Sequence, residues 1–344
     1  MCTVGFIPLA GGGYILGHNR DESRRRARGL LPERRARGDR NFIAPRDPLG
    51  GGTWIGANDA GVTLCLLNAA ETDPGRLPSE PVSRGRILWQ ILHLDSIEAV
   101  RRHLDARREG LRKVRAFHLV AAMHGDAGLA AVAPGAGGRA DSPSVTHHAG
   151  GRVGPSTVTP RSGGPVDPPA VTPRSGGRVG SRLGPSMDGE ASQRAVASGR
   201  AFLKKAGERA RTRPIEARAG SFRWDGARLT EHDHAGPALF VSSGYDQQGA
   251  ELERGKRWRA FLAHLRERSQ FDSDDLALEL SRWLARHEPE RGALSVCMHR
   301  EAAASVSRTI VTASPSAITM HYHDGAPCDA AATEVRRSLK RRSS

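Results

Sequence analysis

Apolar residues along this chain fall in short runs separated by turn chemistry, and the spacing changes from strand-like to helix-like and back. "TVGFIPL" and "YILGH" are apolar and partly β-branched around "AGGG", which predicts a β-hairpin over the first twenty-one residues. A loop of two or four residues there pairs Leu9 with Tyr14 and sets Cys2 opposite Asp21, because turn length fixes hairpin register. A basic loop follows. "TWIGA" and "VTLCLLN" flank an Asn-Asp-Ala-Gly turn and predict a second hairpin, whose second strand is apolar on both faces and needs cover from both sides.

From Arg84 to Arg108 the apolar positions Ile87, Leu88, Ile91, Leu92, Leu94, Val100 and Leu104 repeat helically, with a break near Asp95-Ser96. "AFHLVAAM", a His-Gly-Asp-Ala-Gly turn and "LAAVAP" predict another hairpin. The pattern then stops. Residues 135–189 are Gly, Pro, Ser, Thr and Arg with almost no large apolar side chains, and they repeat "VTPRSGG" and "GGRVG". Such a segment buries too little apolar surface to offset chain entropy and is expected to be disordered. Order is expected to resume with a helix over 190–206, a buried strand in "ALFVSSGYD", and helices over 252–267 and 273–285. "LSVCMHR", "SVSRTIVTAS" and "AITMHYHDG" predict a closing strand meander, and 329–344 reads as a frayed basic tail. Hairpins, helices and strands in this order predict an α+β domain with a sheet sandwich covered by helices, from which the insert loops out.

Composition changes this picture little. Hydrophobic content is 38 % and aromatic content 5 %, no apolar run reaches the length of a membrane span, and no signal peptide is recognisable. A cytoplasmic location is the default expectation. The formal net charge is +15, yet only five of the 52 Lys and Arg residues are lysine, and the charge is scattered without interleaved aromatic residues. A dedicated nucleic-acid site is therefore not expected. The four cysteines Cys2, Cys65, Cys297 and Cys328 show neither CxxC nor zinc spacing, so no metal or organic cofactor is expected. Cys65 and Cys297 read as buried thiols.

Cys2 is set apart by its position. Removal of Met1 leaves it with a thiol and a free α-amine, whose ordinary titration ranges nearly meet. One residue then supplies nucleophile and base, given a carboxylate to orient the amine, an arginine to favour the thiolate and donors for an oxyanion. Asp21 is the candidate carboxylate, Arg20 or Arg308 the arginine, and Asn68 a donor. Each also has a plainer reading: Arg20 and Asp21 as a loop ion pair, Asn68 as a strand end, Trp54 as core, Arg308 as a structural salt bridge.

"MCTV…GHNRDE", "GGTWIG" and "LCLLN" together resemble the NRDE family, named for Asn19-Arg20-Asp21-Glu22, whose eukaryotic relative is the transport-and-Golgi-organisation protein. The resemblance covers residues 1 to about 130 and about 190 to 328, implying one domain in two parts, 1–134 and 190–328, around the 135–189 insert. A weaker likeness links the chain to bile-salt and penicillin-V acylases. It implies a four-layer αββα N-terminal-nucleophile sandwich and hydrolysis of an amide or ester bond through a Cys2 acyl-enzyme. By that likeness Cys2 is the nucleophile, Asp21 contacts its amine, Asn68 and Ser243 donate to the oxyanion, and Arg308 matches a Ser-Arg arginine. His18 stands where the acylases carry an arginine. The eukaryotic relatives imply the alternative: a binding or trafficking protein for haem or an acyl-lipid-like hydrophobic anion, with arginines at the pocket mouth. The expected partner is thus a small-molecule substrate or such a ligand.

Overall fold

The computed structural model describes residues 2–70, 80–125, 216–268 and 271–342. The insert 135–189, the helix expected over 190–206 and the strand expected at "LAAVAP" lie outside these residues. Two antiparallel sheets organise the rest. The first has the order β10-β1-β2-β11-β12-β13, from β1 (Cys2–Pro8), β2 (Tyr14–Ser23), β10 (Ala238–Ser242), β11 (Ala303–Ala313), β12 (Ala317–Asp324) and β13 (Thr333–Lys340). The second runs in sequence order through β3 (Leu30–Arg37), β4 (Arg40–Arg46), β5 (Ile55–Asn58), β6 (Val62–Asn68), β7 (Phe117–Met123), β8 (Arg218–Trp224) and β9 (Leu229–His234).

Alternation along each strand sends residues to two faces, and both faces of each sheet are covered. Val4, Phe6, Leu16, Val311 and Met320 of the first sheet meet Ile43, Ile55, Cys65, Val120 and Ala219 of the second in a shared core. The far face of the second sheet packs on α1 (Arg84–Ile91), α2 (Ile97–Ala106) and the short α3 (Arg108–Leu111) through Leu88, Ile91, Val100 and Leu104. Ile7, Ile15 and Ile310 on the far face of the first sheet meet Trp258, Phe261, Leu280 and Trp283 of α4 (Gln247–Glu267) and α5 (Ser273–Leu284). The expected break between α1 and α2 is present, and Ser96 caps α2 by accepting from the Ala99 N–H.

The structure corrects the expected pattern at four places. The first hairpin turns through Leu9–Gly13 and contains a 3-10 turn, with the Leu9 N–H donating to the Gly13 carbonyl at 2.8 Å. An odd loop shifts every pair by one, so Cys2 lies opposite Arg20, not Asp21. The basic loop after β2 is itself the hairpin β3–β4, turning at Gly38 with φ +60°. "LSVCMHR" is not a strand; its backbone is held by irregular bonds such as Ser305 N–H to the Met298 carbonyl at 2.8 Å. The tail expected to fray instead carries β13, paired with β12 from Ala317↔Lys340 to Asp324↔Thr333.

Candidate functional site

The one-residue shift in the first hairpin decides the site. Directly paired residues of antiparallel strands share a face. Arg20 therefore lies on the inter-sheet side with Cys2, while Asp21 and Asn19 point to the helix side. The "NRDE" run is thus split between two jobs. On the helix side Asn19 donates to the carbonyls of Leu284 at 2.7 Å and Val296 at 3.0 Å, pinning the end of α5 to β2. Asp21 accepts from the Ser305 hydroxyl at 2.6 Å and pairs with Arg254 of α4 at 3.5 Å, both side chains being buried. Arg254 also donates to the Thr3 hydroxyl at 2.6 Å. Sequence reading missed Arg254, although a signal existed. It stands in line with Ala250, Trp258 and Phe261 on the buried stripe of α4, where a charge needs a partner.

On the inter-sheet side the Arg20 guanidinium stacks over Trp54 at 4.2 Å and pairs with Glu22 at 3.0 Å. Trp54 is core, as expected, and it also fixes Arg20. Cys2 is buried, with Ser242 opposite on β10 and Arg20 opposite on β2. His18 pairs with Val4 and Thr309 pairs with His18, so these polar side chains share that face. Both His18 ring nitrogens, the Ser242 and Thr309 hydroxyls and the Trp54 N–H are buried without a hydrogen-bond partner among the described residues. Such atoms cost free energy inside a core, and they share the inter-sheet face with Cys2 as a polar chamber within the core. Burial pushes the Cys2 thiol up from its ordinary range, against the pull of Arg20 and the Asp21 backbone. At rest it is a protonated thiol that needs a local base. Burial and the Arg20 charge push His18 down to about 3, so its imidazole is neutral near pH 7.

A cleft of about 260 Å³ is lined by Cys2, Arg20, Asp21, Trp54 and Asn68 among others. "GGTW" shapes its rim, because Gly52 lies against the backbone of Gly85 and Thr53 N–H donates to the Gly85 carbonyl at 3.1 Å. Asn68 is exposed at the end of β6. Ser243 and Arg308 are not brought to the thiol. The Ser243 hydroxyl accepts from the N–H groups of Tyr245 and Asp246 and so shapes the turn into α4. Arg308 lies opposite Asn19 on the helix-side face and donates to the Pro327 carbonyl at 3.0 Å and to Glu334 at 3.3 Å. A larger groove of about 580 Å³ adjoins, lined by Arg20, Arg24, Arg26, Arg28 and Arg291 among others. No helix among the described residues is long and apolar enough to cross a membrane.

Two stacked antiparallel sheets with helices on their outer faces, and a buried cysteine on the face between them, define an α+β protein. The model of the family Transport and Golgi organisation 2 matches residues 1–134, so the N-terminal part of the chain is similar to that family. No curated protein matches the chain.

Proposed function

We propose that the chain is an N-terminal cysteine hydrolase of αββα N-terminal-nucleophile architecture that cleaves an amide or ester bond through an acyl-enzyme on Cys2. The observation that supports this reading is a cleft lined by Cys2, Arg20, Asp21 and Asn68, with Cys2 at the start of β1 opposite Ser242 and Arg20. The reading requires a mature chain starting at Cys2. Its α-amine takes the thiol proton while Sγ bonds to the acyl carbon, and the departing amine or alcohol leaves with that proton. Water then cleaves the thioester and restores the thiol. Asp21, held by Ser305 and Arg254, orients the amine, and Arg20 favours the thiolate. Asn68 and Ser242 donate to the oxyanion. Ser242 replaces Ser243 in this role because it shares the Cys2 face, and Arg308 has none.

The test is intact mass of the untagged chain before and after incubation with activated acyl esters and simple amides. Loss of Met1, a single acyl adduct on Cys2 and no turnover in Cys2→Ala are expected. Retained Met1, or turnover surviving in Cys2→Ala, overturns the reading. The arginine-lined groove favours a second one, binding of a hydrophobic anion such as haem or an acyl lipid. In that case ligand affinity survives Cys2→Ala and falls in an Arg24→Ala, Arg28→Ala double variant.

A further inference from the structure

His287, Cys297, His299 and Cys328 converge, with one ligand atom from each lying within 4.8 Å of all the others. Sequence spacing concealed this group, because its members come from three segments: the stretch after α5, the irregular strand-like run, and the loop between β12 and β13. His299 Nε2 lies 3.3 Å from His287 Nε2, 3.3 Å from Cys297 Sγ and 3.5 Å from Cys328 Sγ. One imidazole nitrogen carries either one proton or one lone pair. It cannot satisfy three polar neighbours by hydrogen bonding, whatever tautomer is chosen. A cation at the centre satisfies all four groups.

We propose that these four residues form a closed tetrahedral Cys2His2 site for zinc. With Zn–N near 2.1 Å and Zn–S near 2.3 Å, a tetrahedron has N–N edges of about 3.4 Å and N–S edges of about 3.6 Å. The three separations at His299 Nε2 match these edges. Ligand softness agrees, since two thiolates and two imidazoles suit zinc rather than magnesium or calcium. Charge agrees as well. His287, His299 and Cys328 border the groove that holds Arg24 and Arg291, where a bare cation is repelled, whereas two thiolates make the zinc complex neutral.

Four protein ligands leave no open position, so the ion acts as a staple rather than a Lewis acid. Its place explains what it holds. Cys297 and His299 flank Met298, whose N–H donates to the Ser305 hydroxyl at 2.9 Å, and that hydroxyl donates to Asp21. The ion ties this irregular segment to the β12–β13 loop and so braces the wall behind Asp21.

The test uses the untagged full chain, purified with its thiols reduced. Elemental analysis is expected to find about one zinc per chain. Replacement by Co(II) is expected to give the strong visible bands of a tetrahedral site and a thiolate-to-cobalt charge-transfer band. Cys328→Ser, at an exposed position, should remove about half of that charge-transfer intensity and weaken zinc binding at least tenfold, and His287→Asn should weaken it similarly. Cys2→Ala should bind zinc as the parent does, which separates this site from the proposed nucleophile. Three results would overturn the proposal: reduced chain that binds no zinc, binding unchanged in both ligand variants, or a Cys297–Cys328 disulfide found by thiol counting in the isolated protein.

Discussion

His18 shows how a single buried side chain couples the site to pH. It is 1 % exposed, and burial first, then the Arg20 charge, holds its pKa at about 3. An unfolded chain returns it to about 6.5. Above about pH 6.5 the ring is neutral in both states and costs nothing in proton linkage. Below that value the unfolded chain binds a proton that the native state refuses, so stability falls with pH by up to about 1.4 kcal/mol per unit until the native ring protonates near pH 3. His18→Gln removes that one proton while keeping polar atoms in the chamber. Denaturant unfolding of both proteins between about pH 7 and about pH 5 should therefore give a shallower acid limb for the variant, by about one proton. Parallel limbs would mean that His18 is solvated in the native chamber. Arg20 lies one residue beyond Asn19 on the same strand, and the pair show why neighbours in a motif divide their work. Alternation sends one into the chamber and the other to the helices.

At the scale of elements, the glycines of "GGTW" set how closely the first turn of α1 approaches the strand leading into the site. A Cβ on Gly52 would stand 2.0 Å from the carbonyl carbon of Gly85, a backbone atom that cannot rotate away. Gly52→Ala should destabilise the protein by about 1–3 kcal/mol in urea unfolding, the usual cost of overpacking. Gly110→Ala in α3 has nothing within 4 Å of its added methyl and should leave stability unchanged or slightly raised. Equal effects at the two positions would show that Gly52 is not a packing constraint. Elements with strong periodicity were legible in the sequence: the β5–β6 hairpin, the pair α1 and α2, and the strands β11 and β12. The two missed strands share one physical cause. In β3 and β13, edge strands of the two sheets, most positions are exposed and carry adjacent arginines, Arg34-Arg35 and Arg336-Arg337, and charge at an edge protects against mispairing while it hides the apolar period. The hairpin register depended on an odd loop of five residues, Leu9–Gly13, that glycine content alone does not specify. From that loop followed the error at the site. Cys2, Arg20, Asp21 and Asn68 were legible as a group, but their division between faces was not, and Arg254 came from a helix nearly two hundred residues further along the chain.

At the scale of the whole molecule, the pairing of β7 with β8 bears on how the long segment between them is carried. These strands pair in unbroken register from Phe117↔Trp224 to Met123↔Arg218, so the chain leaves the second sheet after β7 and returns beside the strand it left. We propose that residues 1–134 and 190–342, β13 included, form one domain and that 135–189 adds nothing to its stability. The composition of 135–189, poor in large apolar residues, offers little surface that the sheets could bury. Loop closure then sets the sign of the effect. Deleting 135–189 shortens the connection from roughly 94 to roughly 39 residues. Closure entropy that scales with the logarithm of loop length falls by about 0.8 kcal/mol. The deletion variant should therefore unfold in a single transition at slightly higher denaturant than the parent, with an unchanged dependence on denaturant concentration. A loss of more than about 2 kcal/mol would mean that the segment packs against the domain, and a second transition present only in the parent would mean that it folds by itself.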